Sequence, residues 1–352
     1  MKRDYKFIMN HTVLQRAKMY LTSIQLELIE PGKLVGEILE EKDLANFLTI
    51  DNFLELLVNT KQLQCFAETG SGGWNLQEID LLGQIGFIAD VRAYDNGHWT
   101  KPIVHPEPIP FTLMFMPGTL LKSGDSVTPD MNKILVNGKF VWDKFYEVME
   151  EKLLPLLRYA NTVCANEDKN GHISLPALGG GYFSGNYGVE VKEGLLKVLR
   201  QLLINYYGQF PCIKTIRYDG RALMPSYQRD VIGGTSLFAY ASAMDNDTPS
   251  QLRGPNRRGD YNPNDKFFSI VAWDHFSYPG NDFWTMGRHS DDGVKAAATS
   301  VMSNITNRLG YYDEKDNKYK PVVSPLHTWE EVAMDSPEST YLYVKDNLIV
   351  IQ

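Results

Sequence analysis

The sequence has little cysteine, and none of it is paired: Cys65, Cys164 and Cys212 are the only three in 352 residues. That excludes a disulfide framework and a cysteine-based zinc site, and it fits a reducing compartment. Cations are also short. Lys and Arg total 35 against 43 Asp and Glu, a formal net charge of −8, the opposite of the basic face a nucleic-acid binder needs. No apolar run is long enough to span a bilayer, and the opening MKRDYKFIMNHTVLQ lacks the hydrophobic stretch of a secretory signal. Neither a nucleic-acid nor a membrane partner is therefore expected. No G-x-S-x-G occurs, and no Lys–Ser/Thr pair follows a glycine run, so neither a nucleophile elbow nor a P-loop is present.

What is present suits a globular core. Hydrophobic residues make up 43% of the chain, and its 352 residues suffice for one large domain or for a domain with an appendage. The first 65 residues read as helical, with apolar positions at helical spacing in AKMYLTSIQLELIE and DNFLELLVNTKQLQCF. GSGGW at 70–74 reads as a break, so the expected division is a helical segment over 1–65 and the main domain over 66–352. Strands are predicted at 83–94, 110–116, 173–178, 213–219 and 267–273, and in the terminal LIVIQ. Helices are predicted at 140–163 (with a kink at Pro155), after the glycine loop near 188, and over 294–309. The polar stretch 243–266 reads as a long loop. Strand, loop and helix succeeding one another twice indicate an α/β fold with crossover connections.

Two loops follow predicted strands, where open α/β sheets bind ligands. In the first, ISLPALGGGYFSGNYGVE, three glycines end a strand and precede a helix. Such a loop cradles phosphate with backbone N–H groups, or it is simply a turn that needs positive φ. The second, YPGNDFWTMGRHSDDGV at 278–294, carries Asp282, Asp291 and Asp292, with Asp274 just upstream. Arg288 is the only fixed cation among them, free to pair with phosphate or with Asp291. An Asp at a helix start is commonly a cap, and that is the expectation for Asp291. Asp282 has no predicted helix to cap. His275 and His289 flank the loop without metal-ligand spacing, and no metal is expected.

The first loop resembles the second binding loop of macrodomains, which wraps the diphosphate and distal ribose of ADP-ribose. That resemblance assigns Gly179, Gly180, Gly181, Tyr182, Phe183, Ser184 and Gly185 to the cradle. The usual upstream Asn-rich loop is missing. Instead W-D-x(4)-P-G-N-D-F-W-x(2)-G-R-x-S-D-D-G-V, from Trp273 to Val294, is similar to atypical macrodomain effectors of intracellular bacterial pathogens, closest to the MavL type. The resemblance runs from about residue 66 to the C-terminus. It implies a macrodomain-like mixed sheet flanked by helices, and an ADP-ribosylhydrolase that removes ADP-ribose from an arginine of host ubiquitin after delivery into the host cytoplasm. Asp274, Asp282 and Asp292 match the three functionally central aspartates of that group. Asn281, Phe283 and Arg288 are then expected to line the ADP-ribose pocket, with Asp282 and Asp292 nearest the chemistry and Asp274 on a hydroxyl or the adenine amino group. No cofactor is implied, ADP-ribose being ligand and product. The implied partners are ADP-ribose, ADP-ribosylated ubiquitin and a host ubiquitin-pathway enzyme. The alternatives are a non-catalytic ADP-ribose reader and a ubiquitin-pathway scaffold.

Overall fold

The computed structural model describes residues 4–42, 49–68, 70, 72–122, 124, 126–220, 228–240, 251–254, 262–323 and 325–352. Strand β1 (Tyr5–Asn10) runs straight into helix α1 (His11–Gln25), because the Asn10 side chain accepts from Thr12 N and caps the first turn. Helices α2 (Lys33–Lys42), α3 (Ile50–Asn59) and α4 (Leu76–Leu82) follow. Next come strands β2 (Gly86–Asp95) and β3 (Val104–Pro117), helix α5 (Pro129–Ile134) and a short ribbon of β4 (Leu135–Val136) and β5 (Lys139–Phe140). Helix α6 (Trp142–Glu167) leads to β6 (Asn170–Pro176), then helix α7 (Gly188–Asn205) to β7 (Ile213–Asp219). Strands β8 (Gln228–Ile232), β9 (Thr235–Tyr240) and β10 (Asp265–Trp273) precede helices α8 (Asp291–Ala298) and α9 (Val301–Thr306). A hairpin of β11 (Gly310–Asp313) and β12 (Lys318–Pro321), helix α10 (Trp329–Asp335) and β13 (Leu348–Ile351) complete the chain.

Nine strands form one mixed sheet in the order β13-β1-β2-β3-β10-β6-β7-β9-β8. Strands β3, β10, β6, β7 and β9 are mutually parallel, while β2 and β8 run antiparallel to their neighbours within the sheet. Alternation along the strands divides the apolar residues between two faces. Phe87, Phe111, Phe115, Phe267 and Trp273 fill one core, beside residues of α1, α3, α8 and α9. Ile88, Met114, Met116, Phe268 and Ile270 fill the other, beneath α6 and α7. A parallel sheet covered on both faces reads as near-continuous apolar runs, which is why PFTLMFM and FFSIVAW were legible as strands.

Two expectations need correction. The first 65 residues are not all helical: β1 lies inside the main sheet, parallel to β13 and antiparallel to β2. The single helix expected over 294–309 is two, α8 and α9. At Thr299 the backbone is extended (φ −135°, ψ 171°), and Ser300 turns aside to exchange hydrogen bonds with Arg92 of β2. The helix expected over 140–163 forms as α6, which contains Pro155 and runs on to Glu167. Of the loop expected at 243–266, residues 243–250 and 255–261 lie outside the described residues.

Strand β10 enters the sheet after β6, β7, β8 and β9, yet sits between β3 and β6. The connections leaving β3 and β6 pass to one side, and the chain returns to fill the gap. Such a switch of strand order opens the crevice where ligands bind in α/β sheets. The glycine loop leaves β6 and the acidic loop leaves its neighbour β10, so the topology sets the two loops side by side.

Candidate functional site

The glycine loop owes its path to close backbone contact. Gly179 sits at φ +71°, where a side chain is strained, and a Cβ there would lie 2.7 Å from Thr119 N. The loops leaving β3 and β6 therefore pack main chain to main chain, and Leu121 N donates to Phe183 O at 2.7 Å. Residues 182–187 form a 3-10 turn interrupted at Gly185 (φ 53°, ψ −120°). Ser184 spends its hydroxyl inside the loop, donating to Gly181 O at 2.6 Å. Tyr182 projects into solvent, 79% exposed. Phe183 turns inward and meets the ring of His275 edge-on at 6.0 Å. That contact joins the glycine loop to the acidic loop.

Asp274, Asp282, Asp291 and Asp292 are all buried, and each has different partners. Asp274 accepts from Phe276 N and Ala67 N at 2.8 Å each, so one oxygen folds the chain that leaves β10 and the other ties it to the segment after α3. Burial pushes its pKa up from the usual carboxylate value, and burial pushes that of nearby Lys61 down. The Lys61 ammonium donates to the carbonyls of Asp274 and His275 and lies 4.1 Å from the Trp273 ring centre. Asp291 is not the helix cap. Ser290 is, its hydroxyl accepting from Gly293 N at 3.0 Å. Asp291 accepts instead from Ala272 N at 2.9 Å and binds the buried Lys295 ammonium at 2.6 Å.

Asp282 and Asp292 meet through Ser290. The Ser290 hydroxyl contacts Asp282 Oδ1 and lies 2.7 Å from Asp292 Oδ1. Asp282 Oδ2 accepts from His289 N at 2.7 Å. The Asp282 carboxylate is clasped between Gly287 and Gly293, and a Cβ at either residue would collide with it. This clasp accounts for the glycines of G-R-x-S-D-D-G. Asp292 Oδ1 also accepts from Gly293 N at 3.0 Å, whereas Oδ2 is buried with no hydrogen-bond partner among the described residues. Burial, then the neighbouring Asp282, pushes the Asp292 pKa well above the usual carboxylate value.

The remaining candidates serve the scaffold. Arg288 binds neither Asp291 nor an open surface. Its guanidinium forks onto both oxygens of Asp95 at 2.9–3.1 Å and donates to Asn317 O at 2.7 Å and His98 O at 3.1 Å. Asn281 accepts from Cys65 N at 2.9 Å, pinning the 3-10 turn 281–285 to the segment after α3. Phe283 is wholly enclosed in the core, because that turn directs it inward beside Trp284.

Residues that sequence reasoning passed over underlie the junction. Asp130 of α5 accepts from Leu120 N at 2.8 Å and faces His275 Nε2 at 3.8 Å. Burial would raise Asp130, but Lys152 and His275 outweigh it and hold its pKa near 2. Burial lowers His275 to about 4, leaving a neutral imidazole. Ser290 could have been found from sequence, since Ser before an acidic first turn is a strong helix-start signal. Lys61, Asp130 and Lys152 carry no local signal of burial. Among the described residues no three His, Cys, Asp or Glu side chains converge as metal ligands, and no helix is long and apolar enough to cross a membrane.

The topology, glycine loop and acidic loop agree with what comparison with known families finds. No curated protein matches the sequence. A family model described as the macrodomain effector MavL matches residues 5–325, most of the chain, including β1, both loops and Asp274, Asp282, Asp291 and Asp292. The chain belongs to the MavL macrodomain effector family.

Proposed function

We propose that this protein is an ADP-ribosylhydrolase that releases ADP-ribose from an arginine side chain, with ADP-ribosylated host ubiquitin as its substrate after delivery into the host cytoplasm. The observation that carries this reading is the Asp282–Ser290–Asp292 cluster in the acidic loop, which meets the glycine loop through Phe183 and His275, with Asp292 Oδ2 the oxygen of the pair that has no partner among the described residues. Breaking the N-glycosidic bond to a guanidinium develops positive charge at the anomeric carbon, which a fixed carboxylate stabilises. Asp282, held by Ser290 and His289 N, is the partner suited to that task, and Asp292 is the group suited to a ribose hydroxyl or the attacking water. Asp274 and Asp291, saturated by backbone and lysine, position the segment. All three family-matched carboxylates are covered in this structure, so the loops around them must open to admit the distal ribose. Gly179–Gly185 supplies the diphosphate cradle, with ADP-ribose as ligand and product and no cofactor.

A pure ADP-ribose reader is the second reading, favoured by the number of acidic side chains already spent on architecture. A reader needs the cradle but not the Asp282–Asp292 pair. Calorimetry with free ADP-ribose on the wild type and on Asp292→Ala, beside turnover of ADP-ribosylated ubiquitin, separates them. The hydrolase reading expects binding to survive in the variant while turnover falls at least a hundredfold. Binding without turnover in the wild type would establish the reader, and neither would leave a scaffold for the ubiquitin machinery.

A further inference from the structure

The Ser290 hydroxyl has more acidic neighbours than it has protons. Its oxygen accepts from Gly293 N at 3.0 Å, lies 2.7 Å from Asp292 Oδ1, and contacts Asp282 Oδ1. A hydroxyl owns one proton and two acceptor sites. With both carboxylates ionised, one carboxylate oxygen would face a serine lone pair with no hydrogen between them. One further proton removes the conflict, and the neighbouring bonds indicate where it sits. Asp282 accepts a backbone N–H from His289 on its other oxygen, which favours the ionised form. Asp292 Oδ1 has only a share of the Gly293 N–H, which also reaches Ser290 Oγ, and Oδ2 is buried with no partner among the described residues, which is costly for a charge and tolerable for a neutral acid.

We infer that Ser290 is a positioning residue that holds Asp282 and Asp292 as a one-proton pair, with Asp292 the neutral acid donating to Ser290 and Ser290 donating to an ionised Asp282. Every site on the hydroxyl is then used: one donation, to Asp282, and two acceptances, from Asp292 and Gly293 N. The charged groups around Asp292 are Asp282 from the 3-10 turn, Asp274 after β10, and the Asp291–Lys295 pair of α8. Burial and these neighbouring carboxylates raise its pKa. The sequence motif thus encodes a single negative charge and a mobile proton where its spelling suggests two charges. The role assigned to the pair in catalysis rests on the hydrolase reading; the proton count does not.

The test uses the full chain and three variants, Asp292→Asn, Ser290→Ala and Ser290→Thr. Unfolding equilibria are measured by denaturant titration from pH 4.5 to pH 7, and kcat/KM on ADP-ribosylated ubiquitin over the same range. Above the ordinary Asp pKa the unfolded chain releases the Asp292 proton while the folded chain keeps it, so stability falls as pH rises. The wild type should lose about tenfold more per pH unit in its folding equilibrium constant than Asp292→Asn, whose amide keeps the hydrogen bond to Ser290 but has no proton to lose. Equal pH slopes in the two proteins would overturn the inference. In the activity arm Ser290→Ala should shift the pH profile and Ser290→Thr should restore it; unshifted profiles in both would remove the positioning role. An inactive wild type that still shows the one-proton slope would refute the hydrolase reading and leave the shared proton standing. If Ser290→Ala does not fold, Asp292→Asn and Ser290→Thr still decide the matter.

Discussion

Replacing Arg288 by Ala should act on stability far more than on ligand affinity. The guanidinium is only 10% exposed and Asp95 not at all, so the substitution leaves a carboxylate in the interior without its cation. Two backbone acceptors, Asn317 O and His98 O, lose their donors as well. Breaking a buried ion pair by removing one partner costs about 3–5 kcal/mol. Asp95 keeps two donors, Tyr312 Oη at 2.7 Å and Gly97 N at 2.8 Å, which places the loss near the lower end, about 3 kcal/mol. Urea denaturation of the wild type, Arg288→Ala, Asp95→Asn and the double variant measures it. The double variant should be more stable than Arg288→Ala, since it removes the stranded charge. A loss below about 1 kcal/mol, the range of a surface pair, together with a collapse of ADP-ribose affinity, would refute the reasoning and return Arg288 to the phosphate.

Three further outcomes follow from the same geometry. Asp291→Ala takes the carboxylate from the buried Lys295 ammonium, which keeps Gln251 Oε1, and removes the acceptor of Ala272 N, so it should destabilise by about 3 kcal/mol in denaturant titration. Gly179→Ala forces a Cβ against Thr119 at positive φ and should cost about 1–3 kcal/mol, with weaker ADP-ribose binding by calorimetry as the loop is displaced. His275 titrates near 4 when folded and at 6.5 unfolded. Between those values the unfolded chain binds the extra proton, so its contribution is intact above pH 6.5 and is lost as pH falls toward 4. The loss amounts to about 3 kcal/mol, measured as the difference between the wild-type pH-stability curve and that of His275→Gln.

The fold was readable wherever burial on both faces wrote long apolar runs. IKTIRYD became β7 at the predicted residues, and FFSIVAW became the heart of β10. Strand β1 was not readable. YKFIMN passes into helix α1 with no turn residue between them beyond the capping Asn10, so helical periodicity on one side concealed the strand on the other. The helix over 294–309 failed for the opposite reason: its apolar spacing continues while Thr299 and Ser300 divert the backbone to β2. At the site, spacing located the four aspartates but not their partners. Asp95 lies 193 residues from Arg288, and nothing local in either sequence neighbourhood announces the pair. Asp291 was read as a cap because it opens the helix, yet Ser290 had an equal claim and takes the position.

The account stands most directly on one measurement: intact-mass analysis of arginine-ADP-ribosylated ubiquitin incubated with the wild type and with Asp292→Ala, both in the presence of chelator. The wild type should return ubiquitin to its unmodified mass, with free ADP-ribose released, and the Asp292→Ala protein should leave the modification in place at equal concentration. Retention of the modification by a wild type that binds ADP-ribose, or full removal by Asp292→Ala, would contradict it.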